Sequence, residues 1–521
     1  MHSRIITTVA ILGLVGCGVF GAEDSPAPDT TPATPPPDPG TDGGLPEGAP
    51  PPPVGTPADS ELTDAFGVFV SAAATPGGDG TKAHPFATIG AGIDRVKDLK
   101  LRVYVCAGTY AESLTLVNAV SVIGSLGCDG GMWTTMGTGR SIINAPTSPA
   151  IHAKDVSLAT RFEGFDVTAP DGTAMSPSSI ALIAENAPML TVAKSKLTSA
   201  KGFDGADGTD GVQLTIPATA NGKDGFAQSG PALANPISGP SYNFGAAGGV
   251  GSCVGAAGHD GASGGKGGAG STQQCRMFNV GGNPVYLWTV LSAAYARSNG
   301  VVNATGTGGA GVDGASASSI GAFSATGYAP KSGTAGTDGS PGKAGSGGDG
   351  APDLGACNSG DVNLYFDNGS GPGGGAGGCP GLAGTPGGGG GASVAALVIA
   401  SPGLSLTTTE LVAGAGGAGG KGAFGSTPTA GGAAGNKLNG AATVATAGGA
   451  GGRAGFSGNG AGGPSIALAH TGGEVTVAQD THLTAGTAGA GVPARMRTDT
   501  LGNTVTIPAS VGGSAMPTLA F

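Results

Sequence analysis

The chain has 521 residues, of which 107 are glycine, about a fifth of the total where globular proteins carry about 7%. Charged residues make up 11%, aromatics 5%, and the formal net charge is -11. Cations this dilute exclude a nucleic-acid binder, which needs clustered Lys and Arg against phosphate. Glycine this abundant excludes a helical bundle, because each glycine costs a helix about 1 kcal/mol relative to alanine.

The first segment is Arg4 followed by an apolar run from Ile5 to Gly16. It reads as an export signal, since a bilayer span needs about 20 residues. It ends in Leu14-Val15-Gly16-Cys17, which resembles the lipobox of bacterial lipoproteins. The resemblance implies a signal peptide over 1–16 and an acylated Cys17 that ties the protein to the membrane. An ordinary secretory signal with an incidental cysteine is the other reading. Gly18 stands where an aspartate would mean inner-membrane retention in that family, so outer membrane and cell surface are expected. Residues 17–60 form the anchor and a proline-rich tether.

Residues 61–200 read as short strands with one helix. Phe66 to Val70 comes first, then a Gly/Asp/Pro loop. Thr88 caps a helix with apolar Ile89, Ile93, Val96 and Leu99. Leu101 to Val105, Ser113 to Leu116 and Val120 to Gly124 follow as strands. Val68-Phe69-Val70, Gly80-Thr81, Pro85 to Ile89, Val103-Tyr104-Val105 and Ala107 to Tyr110 resemble the start of pectate-lyase-like proteins. The match covers about 62–130. It implies an all-β chain folded as a right-handed parallel β-helix (solenoid), with the helix plugging one end. Enzymes of that family cleave acidic polysaccharides, using calcium-binding carboxylates with a Lys or Arg base, or several close aspartates.

A pattern then occurs three times. Ser179-Ile180-Ala181-Leu182, Ser393-Val394-Ala395-Ala396 and Ser465-Ile466-Ala467-Leu468 each precede two more short strands and a glycine-rich run. They read as three units stacked on one another, with glycine tracts leaving the same corner. The expected organisation is therefore β-helix over 61–200, a glycine-rich insertion over 201–392, and further β-helix over 393–521 with a second insertion at 414–463.

Besides Cys17 there are six cysteines: Cys106, Cys128, Cys253, Cys275, Cys357 and Cys379. The intervals 106 to 128, 253 to 275 and 357 to 379 are each 22 positions. An even count in an exported chain points to disulfides, and the equal spacing points to pairing with the local neighbour, although six cysteines admit 15 connectivities. A metal site is the rival, but no Cys-x-x-Cys occurs.

In the tracts glycine recurs every third residue, as at 255 to 270, 333 to 348 and 375 to 390. Three residues per turn is the period of polyproline-II geometry. Collagen-like triple helix, disorder, and a bundle of polyglycine-II-like helices all fit that period, with Val285-Tyr286-Leu287-Trp288 available as an apolar anchor. The composition over 202–463 resembles the repeats of PE-PGRS proteins.

Aspartate in these tracts precedes glycine at Asp204, Asp207, Asp210, Asp224, Asp260, Asp313, Asp338 and Asp349. Asp-Gly is a turn signal first. Asp207, Asp210 and Asp313 are the calcium candidates: the stretch around Asp207 and Asp210 departs from a Gly-Gly-x-Gly-x-Asp repeat by one residue, and Gly308 to Asp313 fits it as a single copy. No other cofactor is expected. There is no His-Glu-x-x-His and no phosphate loop. The expected role is non-enzymatic: a lipid-anchored, surface-displayed structural or adhesive protein that contacts polysaccharide or extracellular matrix and no nucleic acid. A polysaccharide lyase or glycoside hydrolase is the alternative.

Overall fold

The computed structural model describes residues 55–228, 244–291, 296–355, 357–498, 502 and 504–521. Cys17 and the export signal lie outside these. Strands β1 (Gly67–Val70) and β2 (Arg102–Cys106) flank helix α1 (Ile89–Val96). Then come β3 (Gly108–Tyr110), β4 (Leu114–Leu116), β5 (Val122–Leu126), β6 (Ser141–Asn144), β7 (Ile151–Lys154), β8 (Thr160–Glu163) and β9 (Phe165–Thr168). β10 (Ser179–Glu185), β11 (Leu190–Ala193) and β12 (Lys196–Thr198) precede the first glycine tract. That tract carries β13 (Thr272–Val280), β14 (Asn283–Val290), β15 (Ala322–Ser324), β16 (Gly327–Ala329) and β17 (Tyr365–Asp367). The rest are β18 (Ser393–Ile399), β19 (Ser405–Thr407), β20 (Glu410–Val412), β21 (Ser465–Thr471), β22 (Thr476–Val477), β23 (His482–Thr484), β24 (Arg495–Thr498), β25 (Thr504–Ile507) and β26 (Ala515–Ala520).

Three large sheets result, ordered β1-β2-β5-β8-β11-β19-β22, β26-β21-β18-β10-β7-β4 and β23-β20-β12-β9-β6-β3. Neighbours within each are parallel, and from β2 to β12 consecutive strands go to the three sheets in rotation. The three repeats lie side by side in register: Ser179 opposite Ser393 opposite Ser465, and Ile180 opposite Val394 opposite Ile466. In β10, β18 and β21 successive residues are buried on both faces, which explains their unbroken apolar runs. The β15–β16 hairpin supplies part of the cover, with Tyr328 packed into the cluster of Ile180, Val394 and Ile466.

The expectation of a right-handed parallel β-helix with glycine-rich insertions is corrected here. Among the described residues the architecture is three parallel sheets of seven, six and six strands, not closed into a barrel, with three small antiparallel sheets besides. The physical reason lies in the glycine tracts, which bond to one another as a body of extended segments. Gly202, Gly205, Gly208 and Gly211 donate to the carbonyls of Ala415, Ala418, Lys421 and Phe424 at 2.7–3.1 Å, one bond every third residue on both sides. Ala206 O accepts from Gly388 N, and Gly388 O from Gly420 N, each at 2.8 Å. Approach this close needs glycine: a Cβ on Gly205 would run into the Gly388 carbonyl oxygen.

Helix α1 forms as expected at its start. Thr88 Oγ1 accepts the Ala91 N–H at 3.3 Å, and Glu112 accepts the Ile89 and Gly90 N–H groups at 2.8 and 2.9 Å. Ile89, Ile93 and Val96 are buried, whereas Leu99 lies beyond the helix and is exposed. On the other face of β1 and β2, Phe69 packs on Tyr104 and Trp133, with ring centroids 5.2 and 4.7 Å away.

Candidate functional site

The calcium candidates are occupied by main-chain amides and cations. Asp204, Asp207 and Asp210 accept the N–H groups of Ala418, Lys421 and Phe424 through Oδ1 at 2.8, 2.7 and 2.8 Å. The glycine after each donates to the carbonyl of that same partner residue. Each Asp-Gly dipeptide thus closes a two-bond ring on one residue of the neighbouring segment. Asp224-Gly225 does so with Asn436, Asp313-Gly314 with Phe456, and Asp171-Gly172 with Lys201. Asp260, Asp338 and Asp349 accept N–H groups from Cys253, Ala383 and Gly300 at 2.7–2.8 Å. So the expected turn signal is a pairing signal instead, and its every-third-residue spacing at 204, 207 and 210 was the legible clue.

Cations complete several of these carboxylates. Arg453 takes both oxygens of Asp313 at 2.8 and 3.1 Å. Lys421 Nζ lies 3.3 Å from Asp207, and Arg497 Nη1 3.3 Å from Asp210. The Arg453 guanidinium holds the Asp313 carboxyl below its ordinary range, the Lys421 main-chain amide does so for Asp207, and the Lys201 ammonium for Asp204. Among the described residues no group of three His, Cys, Asp or Glu side chains is placed to hold a metal ion.

A second cluster lies across β9, β12, β20 and β23. Register puts Asp166, Lys196, Glu410 and His482 in one column on adjacent strands, spaced by the ~4.8 Å of a sheet. Two ion pairs lie along it: Arg140 to Asp166 at 2.8 Å and Lys196 to Glu410 at 3.0 Å. The column forms the floor of an open groove of about 520 Å³, which Lys194, Thr408 and Asp480 also line. Lys194 and Thr408 sit at successive corners with φ of 46° and 48°, the left-handed conformation that turns the chain from one sheet into the next. Thr408 donates to Asp480 through Oγ1 at 2.6 Å and through its main-chain N–H at 3.1 Å, which lowers the Asp480 pKa. Beside the groove, burial pushes the Glu163 carboxyl up, but Lys194, Arg161 and Thr56 outweigh it and the net shift is downward. No sequence pattern marked this cluster, because its members come from four separate units of the chain.

The six cysteines form three disulfides. Cys106–Cys128 joins local neighbours, with Cα atoms 5.8 Å apart. The other two bonds correct the expectation of local pairing: Cys253 bonds Cys379 and Cys275 bonds Cys357, one loop nested inside the other. Pairing of β13 with β17 brings Cys275 to the chain near 357, and the glycine segments around 253 and 379 are packed together beside Leu214. The described histidines stay scattered, with His482 alone in the groove. No described helix is long and apolar enough to cross a membrane.

No family model, curated protein or solved structure matches the chain.

Proposed function

We propose that the protein is a non-enzymatic structural or adhesive protein of the cell surface, anchored through Cys17, that binds polysaccharide along the groove. The carrying observation is the column Asp166–Lys196–Glu410–His482. A row of alternating donors and acceptors at sheet spacing offers repeated hydrogen bonds to a polymer rich in hydroxyls and carboxylates lying across the strands. Flanking Arg140 and Lys194 add donors for uronate carboxylates. The remaining carboxylates of the glycine body support the reading, since hydrogen bonds to neighbouring segments occupy them in holding the scaffold together.

Three carboxylates with Lys and Arg in one groove also favour a second reading, a polysaccharide-cleaving enzyme. One experiment separates the two. The full chain is incubated with pectin and alginate in calcium, and retention and new chain ends are measured together. The proposal expects retention without cleavage, weakened several-fold by Lys196→Ala. New reducing ends or unsaturated uronates, abolished by changing Asp166, Glu410 or Asp480, would replace it with the enzyme. For the anchor, Cys17→Ala is expected to abolish incorporation of labelled fatty acid.

A further inference from the structure

Val285-Tyr286-Leu287-Trp288 does not anchor the glycine body. It belongs to the hairpin β13–β14, which pairs from Gln273 opposite Val290 out to Val280 opposite Asn283 and turns at Gly281-Gly282, both with positive φ. The base of this hairpin is fixed three ways. β13 pairs with β17 at Thr272 to Gln274, Cys275 bonds Cys357, and Trp288 packs on Phe366 at 5.6 Å. Beyond Cys275 the hairpin stands clear. Arg276, Met277, Phe278, Asn279 and Val280 are exposed one after another, so both faces are uncovered.

Those faces carry exposed apolar side chains. Met277 is 56% exposed, Phe278 40%, Val280 62% and Leu287 43%. From Met277 to Val290 there is no Asp, Glu, Lys, Arg or His, in a chain with net charge -11. The charge at the junction is Arg276, a cation with a long stem. A flat protein partner covers one face of such a prong and leaves the other wet. A medium that surrounds it covers both. Trp288 stays at the fixed base opposite Cys275, while farther out Leu287 lies opposite Arg276, Tyr286 opposite Met277 and Phe278 opposite Val285, an aromatic and aliphatic belt beside a single arginine such as membrane interfaces favour. The outer edge of β13 beyond Cys275 pairs with no described strand, which limits insertion to the wet interfacial zone, where water and head groups satisfy the main chain.

We infer that the tip of this hairpin inserts into the interfacial layer of a phospholipid bilayer, as a second contact independent of Cys17. The test uses the full chain carrying Cys17→Ala, so that no acyl anchor forms, and vesicles of phosphatidylethanolamine and phosphatidylglycerol at 3:1. The expected result is co-flotation with the vesicles, reduced at least tenfold by Phe278→Asp with Leu287→Asp. Phe278→Trp is expected to shift tryptophan emission to shorter wavelength when vesicles are added. Both positions are exposed, and unchanged circular dichroism with intact disulfides checks that the variants fold. No flotation, or flotation that the double variant leaves unchanged, overturns the inference. So does a dimer in sedimentation that the double variant abolishes while vesicles have no effect, since the occupant would then be a second copy.

Discussion

Asp207 holds Lys421 at two points: Oδ1 accepts its main-chain N–H at 2.7 Å, and Oδ2 lies 3.3 Å from its ammonium. The main-chain bond sets the alignment of two glycine segments. The ion pair is exposed and contributes little by itself. Asp207→Asn keeps the Oδ1 acceptor and is expected to leave stability nearly unchanged. Asp207→Ala is expected to cost about 0.5–1 kcal/mol, the low end for a lost hydrogen bond at an exposed site. Urea unfolding of the two variants compares them, and equal losses would mean that the charge rather than the acceptor matters.

Acid is expected to loosen the glycine body. Asp204, Asp207 and Asp313 all have folded pKa values below the ordinary 3.8. Depressed carboxylates contribute stability that is present above the unfolded value and is lost as pH falls through the folded one. The melting temperature should therefore be level from neutral pH down to about 5 and fall below about 4. A melting temperature unchanged at pH 3 would contradict this.

The nested disulfides can be read by peptide mapping without reduction. Linked peptides containing Cys253 with Cys379, and Cys275 with Cys357, are expected. Links from 253 to 275 or from 357 to 379 would show the local pairing instead. With the inner Cys275–Cys357 bond intact, the outer bond closes a loop of about 44 residues and in the chain-entropy model stabilises by about 4 kcal/mol, against about 3 kcal/mol for the bond spanning 22, so Cys253→Ser with Cys379→Ser should cost slightly more than removing Cys106–Cys128.

Two glycines test the packing of the tracts. Gly205→Ala places a methyl against the Gly388 carbonyl and is expected to cost about 1–3 kcal/mol. Gly360 has open space around its missing Cβ, and Gly360→Ala should lie within about 0.5 kcal/mol of the parent. Thermal melts of the two side by side decide whether close main-chain approach is what the glycines provide.

The parts legible from the residues are those encoded locally. Thr88 with Ile89, Ile93 and Val96 announces a capped helix, and Ser179, Ser393 and Ser465 announce three strands that pair in register. What stayed hidden depends on distance in the chain. Cys253 finds Cys379 because segments far apart in sequence pack together, which equal spacing cannot show. The groove was equally unreadable, since Asp166, Lys196, Glu410 and His482 become neighbours only through strand order. Asp-Gly was visible as a repeat, but a dipeptide has the same look in a turn and in a pairing ring. Leu287 reads as part of an anchor for the glycine bundle, because apolarity alone does not say what surrounds a side chain.

The Ser199 and Ser393 hydroxyls lie 2.8 Å apart, although 194 positions separate them. The first glycine tract is thus a detour that departs and rejoins at one spot. During synthesis the open edge of β10 must wait for its partner β18 until the whole detour has emerged. At the usual 5–20 residues per second that interval is about 10–40 s. For so long a delay the growing chain carries a sticky margin, and the cell that makes it must shield that margin until the missing neighbour arrives.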